Sequence, residues 1–517
     1  MPDRVDAIVV GGGHNGLVCA AYLARAGLDV RVFERRDLLG GACATEELFD
    51  GYRVSSCSYV CYLLQPKVVD ELELRRHGFR YHPIDPHGFL PYRDGSHLFT
   101  WNDEDRTRAE IERLSPRDAA RYPDFVDFWR RGAGLVNRFM LEQPPTWDQV
   151  EAYAAEIGEQ QTLERLRDSS VAEICSDYFA DERLQAAFVG IEDIGDPWAP
   201  GSAWTEAYFH GNEFTDYGYS VVTGGMGAIA AAIASAAREF GARIETGRPV
   251  DRILVSEGRA RGVRLDDGSE VLADVVVSNA DPKRTYLGLV GAGHLPDGLE
   301  DRVSDLSTGT SYLKFHSVME RLPDISRYLG RDADPRETGY IEITPSLEHY
   351  RRAFAETRAG RMPSEPIVHI QIPTVYDDTL TSRDGHVVSI WAQFAPPRLS
   401  ESTWEAERER TGQALIDYVT EFVPNFRRDM REWLLFTPQD LEERVGFTDG
   451  AIRHLDTIPS QLLAARPLPG HGYGGAIDGL YLCGAGTHPG GEVTGAPGHN
   501  AARELLAQRE HLTQRVA

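Results

Sequence analysis

The 517-residue sequence predicts an α/β fold with an α+β part inserted into it, and three observations carry that prediction. A glycine turn separates an apolar strand from a helix within residues 5–34. Three short strands joined by tight turns follow one another between Val250 and Leu272. A glycine-dense segment, Gly484–Gly498, trails the last apolar strand and leads into a final helix.

Taken in order, Val5–Val10 is apolar except for Asp6, the pattern of a strand covered on both faces in a parallel sheet. Leu17, Ala20, Ala21 and Ala24 then recur at helical spacing, Gly27 supplies a stop, and Val30–Glu34 is a second strand, completing a βαβ unit. Residues from about Asp85 to Phe214 are charged and aromatic-rich, with helices expected over Ser115–Phe139 and Gln160–Phe179. A helix follows Gly224–Gly227 and ends at Gly241. Val250–Val255, Gly262–Leu265 and Ser269–Leu272 read as a β-meander, and Val275–Ser278 as a further strand. Ser311–Met319, Ile367–Ile372 and His386–Phe394 are strand-like, Glu405–Phe422 is helical, Gly479–Cys483 is a strand, and a helix runs from about Gly498 to Gln508.

Composition narrows the function. With 54 basic against 80 acidic residues, a net charge of -26, neither nucleic acid nor an anionic membrane surface is an expected partner. No apolar run reaches the length of a bilayer span, so no integral membrane segment is expected. The strand beginning at Val5 leaves no room for a signal peptide, which predicts a cytoplasmic location. The six cysteines form no C-x-x-C pair and no metal-ligand spacing; buried free thiols and no metal site are expected.

The chemistry-bearing motif is Gly11-x-Gly13-x-x-Gly16 between strand and helix, with Glu34 closing the second strand. Gly11 permits the tight turn, Gly13 lets a diphosphate approach backbone N–H groups, and Gly16 allows close helix–strand packing. The helix start at His14 and Asn15 then faces the diphosphate, and Glu34 is placed to accept from a ribose. Arg35, Gly40, Gly41 and Ala42 extend this first nucleotide contact. The glycines from Gly484 to Gly498 let a flat ring lie against backbone, which selects FAD over a nicotinamide dinucleotide.

These residues, with Gly224–Gly227, Gly258–Arg264 and Ser278–Pro282, resemble the phytoene desaturase-like FAD-dependent oxidoreductases, in the branch of phytoene dehydrogenase-related or pyridine nucleotide-disulfide oxidoreductase domain proteins of the amine oxidase superfamily. The resemblance implies a Rossmann-like FAD-binding domain of the glutathione reductase type with a β-meander, and an inserted substrate domain of mixed sheet and helices. It implies non-covalent FAD, with Val250 touching the adenine, Asn279 in the cofactor site, and Gly486, Val493 and Thr494 near the ribityl chain and isoalloxazine. The expected FAD-binding domain is discontinuous, 1–84, 220–303 and 464–517; residues 85–219 and 304–463 form the expected substrate domain with its helical insertion.

Glu492 stands where the family often has a third glycine, and is a candidate general base or substrate-orienting anion, a surface or helix-capping role being the alternative. His488, in the flavin loop, is the second catalytic candidate, and His14 could donate to the cofactor. Tyr208, His210, Tyr217 and Tyr219 are candidates for the substrate pocket. Lys67, Lys283 and Lys314 are the only lysines. Lys283 and Lys314 do not closely match the flavin-side lysine of related amine oxidases, and solvent-exposed ammonium groups are expected there.

The resulting expectation is an enzyme that dehydrogenates a small organic molecule other than carotene by hydride transfer to flavin N5, passing electrons to O2, a quinone or another acceptor. The alternatives are an amine oxidase, a redox-neutral isomerase, or an FAD-less binding relative. A homo-oligomer is left open.

Overall fold

The computed structural model describes residues 3–190, 196–210, 218–309 and 311–516. Two seven-stranded sheets organise the chain. The first runs in the order Val250–Ser256, Arg259–Leu265, Glu270–Ser278, Asp3–Val10, Val30–Phe33, Arg243–Glu245. Glu270–Ser278 is the key strand. One edge pairs in parallel with Asp3–Val10; the other is shared between the antiparallel meander at residues 270–272 and Leu480–Leu482, parallel at residues 276–278. The start and the end of the chain therefore flank one strand, and three parallel carboxyl ends, at Val10, Ser278 and Leu482, open side by side. That crevice is where ligands bind in such sheets.

The sequence predicts separate strands over Ser269–Leu272 and Val275–Ser278, but Glu270–Ser278 is continuous. The charge of Asp274 does not break it, because Arg4 on the neighbouring strand pairs with that carboxylate. The helix expected over Ser115–Phe139 is likewise two, Pro116–Ala119 and Tyr122–Asn137, the second restarted with Pro123 in its first turn, where the missing N–H costs nothing. Gln160–Phe179 divides at Ser169–Ser170, since Ser170 and Glu173 close a capping box and begin a new helix, Val171–Tyr178.

Helices His14–Arg25, Gly227–Glu239 and Ala496–Val516 cover one face of the first sheet through small residues, Ala20, Ala21, Ala230, Ala501 and Ala502 among them. Small side chains let the backbones approach closely, and at Gly498 they nearly touch: a Cβ there would lie 2.1 Å from the Asn15 carbonyl oxygen.

The second sheet runs Met430–Phe436, Ser311–Met319, His386–Ala395, Val368–Gln371, Tyr340–Ile343, Gly88–Pro91, His97–Thr100. Strand alternation gives it two different faces. Leu313, Phe315, Ile341, Ile370 and Ile390 pack with Leu415, Ile416 and Val419 of the helix Trp404–Phe422. The opposite face carries Lys314, His316, Tyr340, His369, Ser389 and Trp391, all buried. A third, aromatic core of Phe125, Trp129, Phe179 and Trp204 holds the helical insertion together. Among the described residues, no helix is long and apolar enough to cross a membrane.

Candidate active site

A cavity starts at the crevice of the first sheet and ends against the polar face of the second. Gly11, Gly13, His14, Asn15, Glu34, Arg35, Gly41, Ala42, Val250 and Asn279 line its first part, and Ala485, Glu492 and Val493 bring the tail of the chain to it. Its far end is walled by Tyr59, Tyr62, Trp391 and Phe447.

The first helix presents a bare N-terminus to this space. Gly13 is its N-cap, no side chain caps it, and no acidic residue lies in its first turn. Its partial positive charge and free N–H groups are thus left for an anion such as a diphosphate. Gly11 needs its glycine for a φ of 98°, and Gly13 because a Cβ would stand 2.6 Å from Asn279 Nδ2. Glu34 is fixed by two backbone donors, Gly12 N–H to Oε2 at 2.7 Å and Arg36 N–H to Oε1 at 2.8 Å, so its carboxylate faces the cavity in one orientation. Asn15 Oδ1 is buried without a partner. A bare helix end, glycines where a side chain would block, an oriented acid and an unmet polar atom fit the adenosine diphosphate of FAD; from the tail segment Ala485, Glu492 and Val493 reach the cavity, while Gly484 and Gly486 pack behind it.

Other predicted residues support the walls from behind. A Cβ on Gly16 would lie 2.3 Å from Gly11 O; Gly40 packs on Ala230; Gly484 lies under His454; Gly486 lies against Pro282. Thr494 is fully buried and caps the last helix by accepting from Ala496 N–H. Tyr208 donates to Gly491 O at 2.7 Å and so braces the loop that carries Glu492. Tyr219 stacks on Tyr62 at 4.6 Å, one ring behind the wall. His210 stacks on Trp129 at 4.7 Å within the helical insertion. Tyr217 lies outside the described residues.

The two catalytic candidates part company. His488 does not line this cavity: its Nε2–H donates to Phe139 O at 2.9 Å, and it borders a separate small apolar cavity with Tyr208 and Trp204. Glu492 does line it, in the left-handed region at φ 65°, but Arg453 Nε donates to its Oε1 at 2.8 Å and a second guanidinium nitrogen to the same oxygen. A carboxylate held by a buried guanidinium is a fixed post, with one oxygen already engaged. Glu492→Gln is therefore expected to keep the cofactor and slow its reduction less than about tenfold, whereas a general base would cost 10²–10⁴-fold; stopped-flow bleaching separates the two.

His14 sits between both ends of the chain. Its Nε2–H donates to Glu492 O at 3.2 Å and its Nδ1 accepts from the Cys43 thiol at 3.4 Å. Burial pushes it down to about 4, so it is neutral, and burial raises the Cys43 thiol far above its usual range. The six cysteines are all free and buried.

Sequence reasoning missed Tyr59, Tyr62, Trp391, Phe447 and His454 on the wall. His454 is held at φ 65°, with Nδ1 buried and unpartnered, and burial lowers it to about 4 against the opposing pull of Asp281. Non-glycine residues in this region are strained and concentrate at functional sites. Lys314 corrects the expectation of an exposed ammonium: it is fully buried, donates to Ser389 Oγ at 2.9 Å, and lies 4.3 Å from the Tyr59 ring centre. Its signal was present in strand alternation, which places it on the face opposite Leu313 and Phe315.

Burial pushes His87, His210 and His488, like His14 and His454, down to about 4. The unfolded chain takes up these protons near 6.5 and the folded chain only near 4, so stability is full above about pH 6.5 and is lost as pH falls through that window. Thermal unfolding from pH 8 to pH 4 is expected to show the midpoint flat above about 6.5 and falling steeply below it.

The flavin-containing amine oxidoreductase family matches residues 16–323. Rat pyridine nucleotide-disulfide oxidoreductase domain-containing protein 2 is 33% identical over 98% of this chain and 94% of its own length. The neurosporene-forming phytoene desaturase of Cereibacter sphaeroides is 27% identical over 98% and 94%. Cyclohexylamine oxidase from Brevibacterium oxydans superposes with a TM-score of 0.60 at 16% identity, covering 99% of this chain and 100% of that one, a likeness of fold.

Proposed function

The chain belongs to the flavin-containing amine oxidoreductase family and is an FAD-dependent oxidoreductase, and from that premise we propose that it dehydrogenates a small organic substrate held against the aromatic end of its cavity. The reading rests on the continuity of that cavity, from the glycine turn and Glu34 at one end to Tyr59 and Trp391 at the other, so that nucleotide and substrate share one space. We assign residues 1–84, 220–303 and 464–517 to the FAD-binding domain and residues 85–219 and 304–463 to the substrate domain, with Tyr59 and Tyr62 of the first reaching the substrate end.

Bound FAD supplies the two-electron chemistry, accepting a hydride equivalent from a substrate carbon. The chain supplies position. The helix start at Gly13–Asn15 would hold the diphosphate, Glu34 would accept from the ribose, and Ala485 and Val493 would bound the ring's side of the cavity. Tyr59, Tyr62 and Trp391 orient the reacting C–H bond, which alone can supply ~7–11 kcal/mol of the barrier. The neutral imidazole of His454, whose Nδ1 has no partner, is a proton acceptor on the wall of the same space.

Anaerobic mixing of the yellow protein with a panel of alcohols, amines, acids and cyclic terpenes is expected to bleach the flavin with at least one compound and yield its dehydrogenated product. Bleaching by dithionite but by no member of the panel would count against the reading. A second reading, in which O2 takes the electrons, is favoured by Lys314: a buried cation beside the aromatic wall stabilises the negative charge that develops on O2 as it is reduced. Peroxide formed in step with bleached substrate is its signature.

A further inference from the structure

We propose that His454 is a redox-linked proton site: it takes up one proton when the bound flavin is reduced and releases it on reoxidation, so that reduction consumes two protons and not one. This rests on the reading of the cavity as the flavin site and holds whichever substrate is oxidised.

The fold places the imidazole for that role. His454 lies on the cavity wall beside Ala485, where the tail segment reaches the cavity. Its side chain packs on the glycines of that segment: a Cβ on Gly484 would stand 3.1 Å from His454 Nδ1, and one on Gly486 3.4 Å from His454 Cβ. It is held there at φ 65°, in the left-handed region that a residue other than glycine occupies only when its surroundings impose it. Among the described residues Nδ1 is buried without a partner, which leaves one ring nitrogen for a proton.

The charges around the ring keep it neutral until the cavity gains an electron pair. Burial holds His454 down to about 4; Asp281 pulls the other way, and Arg466 and Arg284 act with the burial. Asp281 is fixed beside it by three donors, Arg284 N–H, Thr448 N–H and the Thr448 hydroxyl. The adjacent Arg453 guanidinium donates to Glu492. His14, the other imidazole that feels this charge, has both ring nitrogens engaged, with Glu492 O and the Cys43 thiol. An added proton therefore goes to His454.

Hydride transfer brings two electrons and one proton into the cavity, a net gain of one negative charge. A unit charge gained roughly 4–6 Å from an imidazole favours its proton by about a hundred- to a thousandfold at an effective dielectric near 20. His454 then takes a second proton, released by the oxidised substrate or by solvent, and the site gains no net charge. From about pH 4 up to roughly pH 6–7 the imidazole is neutral before reduction and protonated after it; above that window it is neutral in both states.

The midpoint potential of the FAD-loaded protein, titrated electrochemically from about pH 5.5 to 8.5, counts these protons. Each proton taken by a two-electron couple lowers the potential by about 30 mV per pH unit. The parent is expected to fall by about 59 mV per unit at the acid end and by about 30 mV per unit at the alkaline end, with the break near pH 6–7. His454→Asn, chosen because asparagine tolerates the left-handed backbone, should fall by about 30 mV per unit throughout. Asp281→Asn, which removes the carboxylate that favours the charged ring, should move the break to lower pH, and it carries the test should His454→Asn not fold. A slope of about 30 mV throughout in the parent, or a break unmoved in either variant, would overturn the proposal. A protein without flavin would overturn the cofactor reading instead, and a panel without a bleaching compound would touch only the substrate reading.

Discussion

Gly498→Ala is expected to yield a protein that purifies without its yellow colour and unfolds at a lower temperature. The added methyl would lie 2.1 Å from the backbone oxygen of Asn15, more than 1 Å inside ordinary contact, and 3.0 Å from Val18 Cβ. Neither side can yield cheaply, since both belong to helices packed on the same sheet. The last helix must move off the first, a strain of about 1–3 kcal/mol. The movement acts where it matters most, because Asn15 is in the first turn of the helix whose N–H groups face the cavity. A displacement near 1 Å at such a site can cost on the order of 10²-fold, and FAD affinity should fall by at least that. Gly27→Ala is the control. Gly27 has a φ of 88° but nothing within 4 Å of its would-be Cβ, so the substitution costs roughly 1–2 kcal/mol of backbone strain far from the cavity. It should lower the melting temperature and keep the colour. If Gly498→Ala is as yellow as Gly27→Ala, the contact between the two chain ends does not set the site.

The nucleotide half of this site was legible because backbone geometry constrains it locally. Gly11, Gly13 and Glu34 lie within 24 residues and each answers to one requirement of turn, approach or acceptor. The substrate half is assembled from residues that share no local pattern. Tyr59 follows the second glycine pair, Trp391 lies in a central strand and His454 in a loop, and only the pairing of Ser311–Met319 with His386–Ala395 brings the first two around Lys314. The four aromatic and polar residues expected there, Tyr208, His210, Tyr217 and Tyr219, lie within one short stretch of sequence. The described ones prove to be braces, Tyr208 on Gly491, His210 on Trp129 and Tyr219 on Tyr62. Lys314 was the avoidable miss. Lysine's usual exposure outweighed a strand whose alternate residues, Leu313 and Phe315, already assigned the opposite face to the core. Glu492 shows the reverse limit: its departure from glycine was visible, but Arg453, 39 positions away in sequence, decides what its carboxylate can do.

Arg466→Met should be the most damaging single substitution away from the cavity wall. Arg466 is fully buried, and its guanidinium donates to the carbonyl oxygens of Ala485, Arg453, Leu455, Asp456 and Gln461. No carboxylate accepts from it in these bonds. It thus joins the glycine loop after the terminal strand to the segment carrying Arg453 and His454. Burial lowers it to about 10, which still leaves it charged at neutral pH. Methionine fills similar volume but offers no donor, and each buried carbonyl left unpaired costs roughly 1–3 kcal/mol. Even with partial relaxation the loss should reach about 3–5 kcal/mol, the range for breaking a buried charged network. A lysine has three donors in place of five and no planar fork, so Arg466→Lys should recover only part of the loss. Loop and segment share the cavity wall through Ala485 and His454, so FAD should dissociate before the rest of the protein unfolds. Flavin fluorescence released on heating should precede the loss of helical circular dichroism in Arg466→Met and coincide with it in the parent. Simultaneous transitions in both, at similar temperatures, would show that the two segments are held together without this guanidinium.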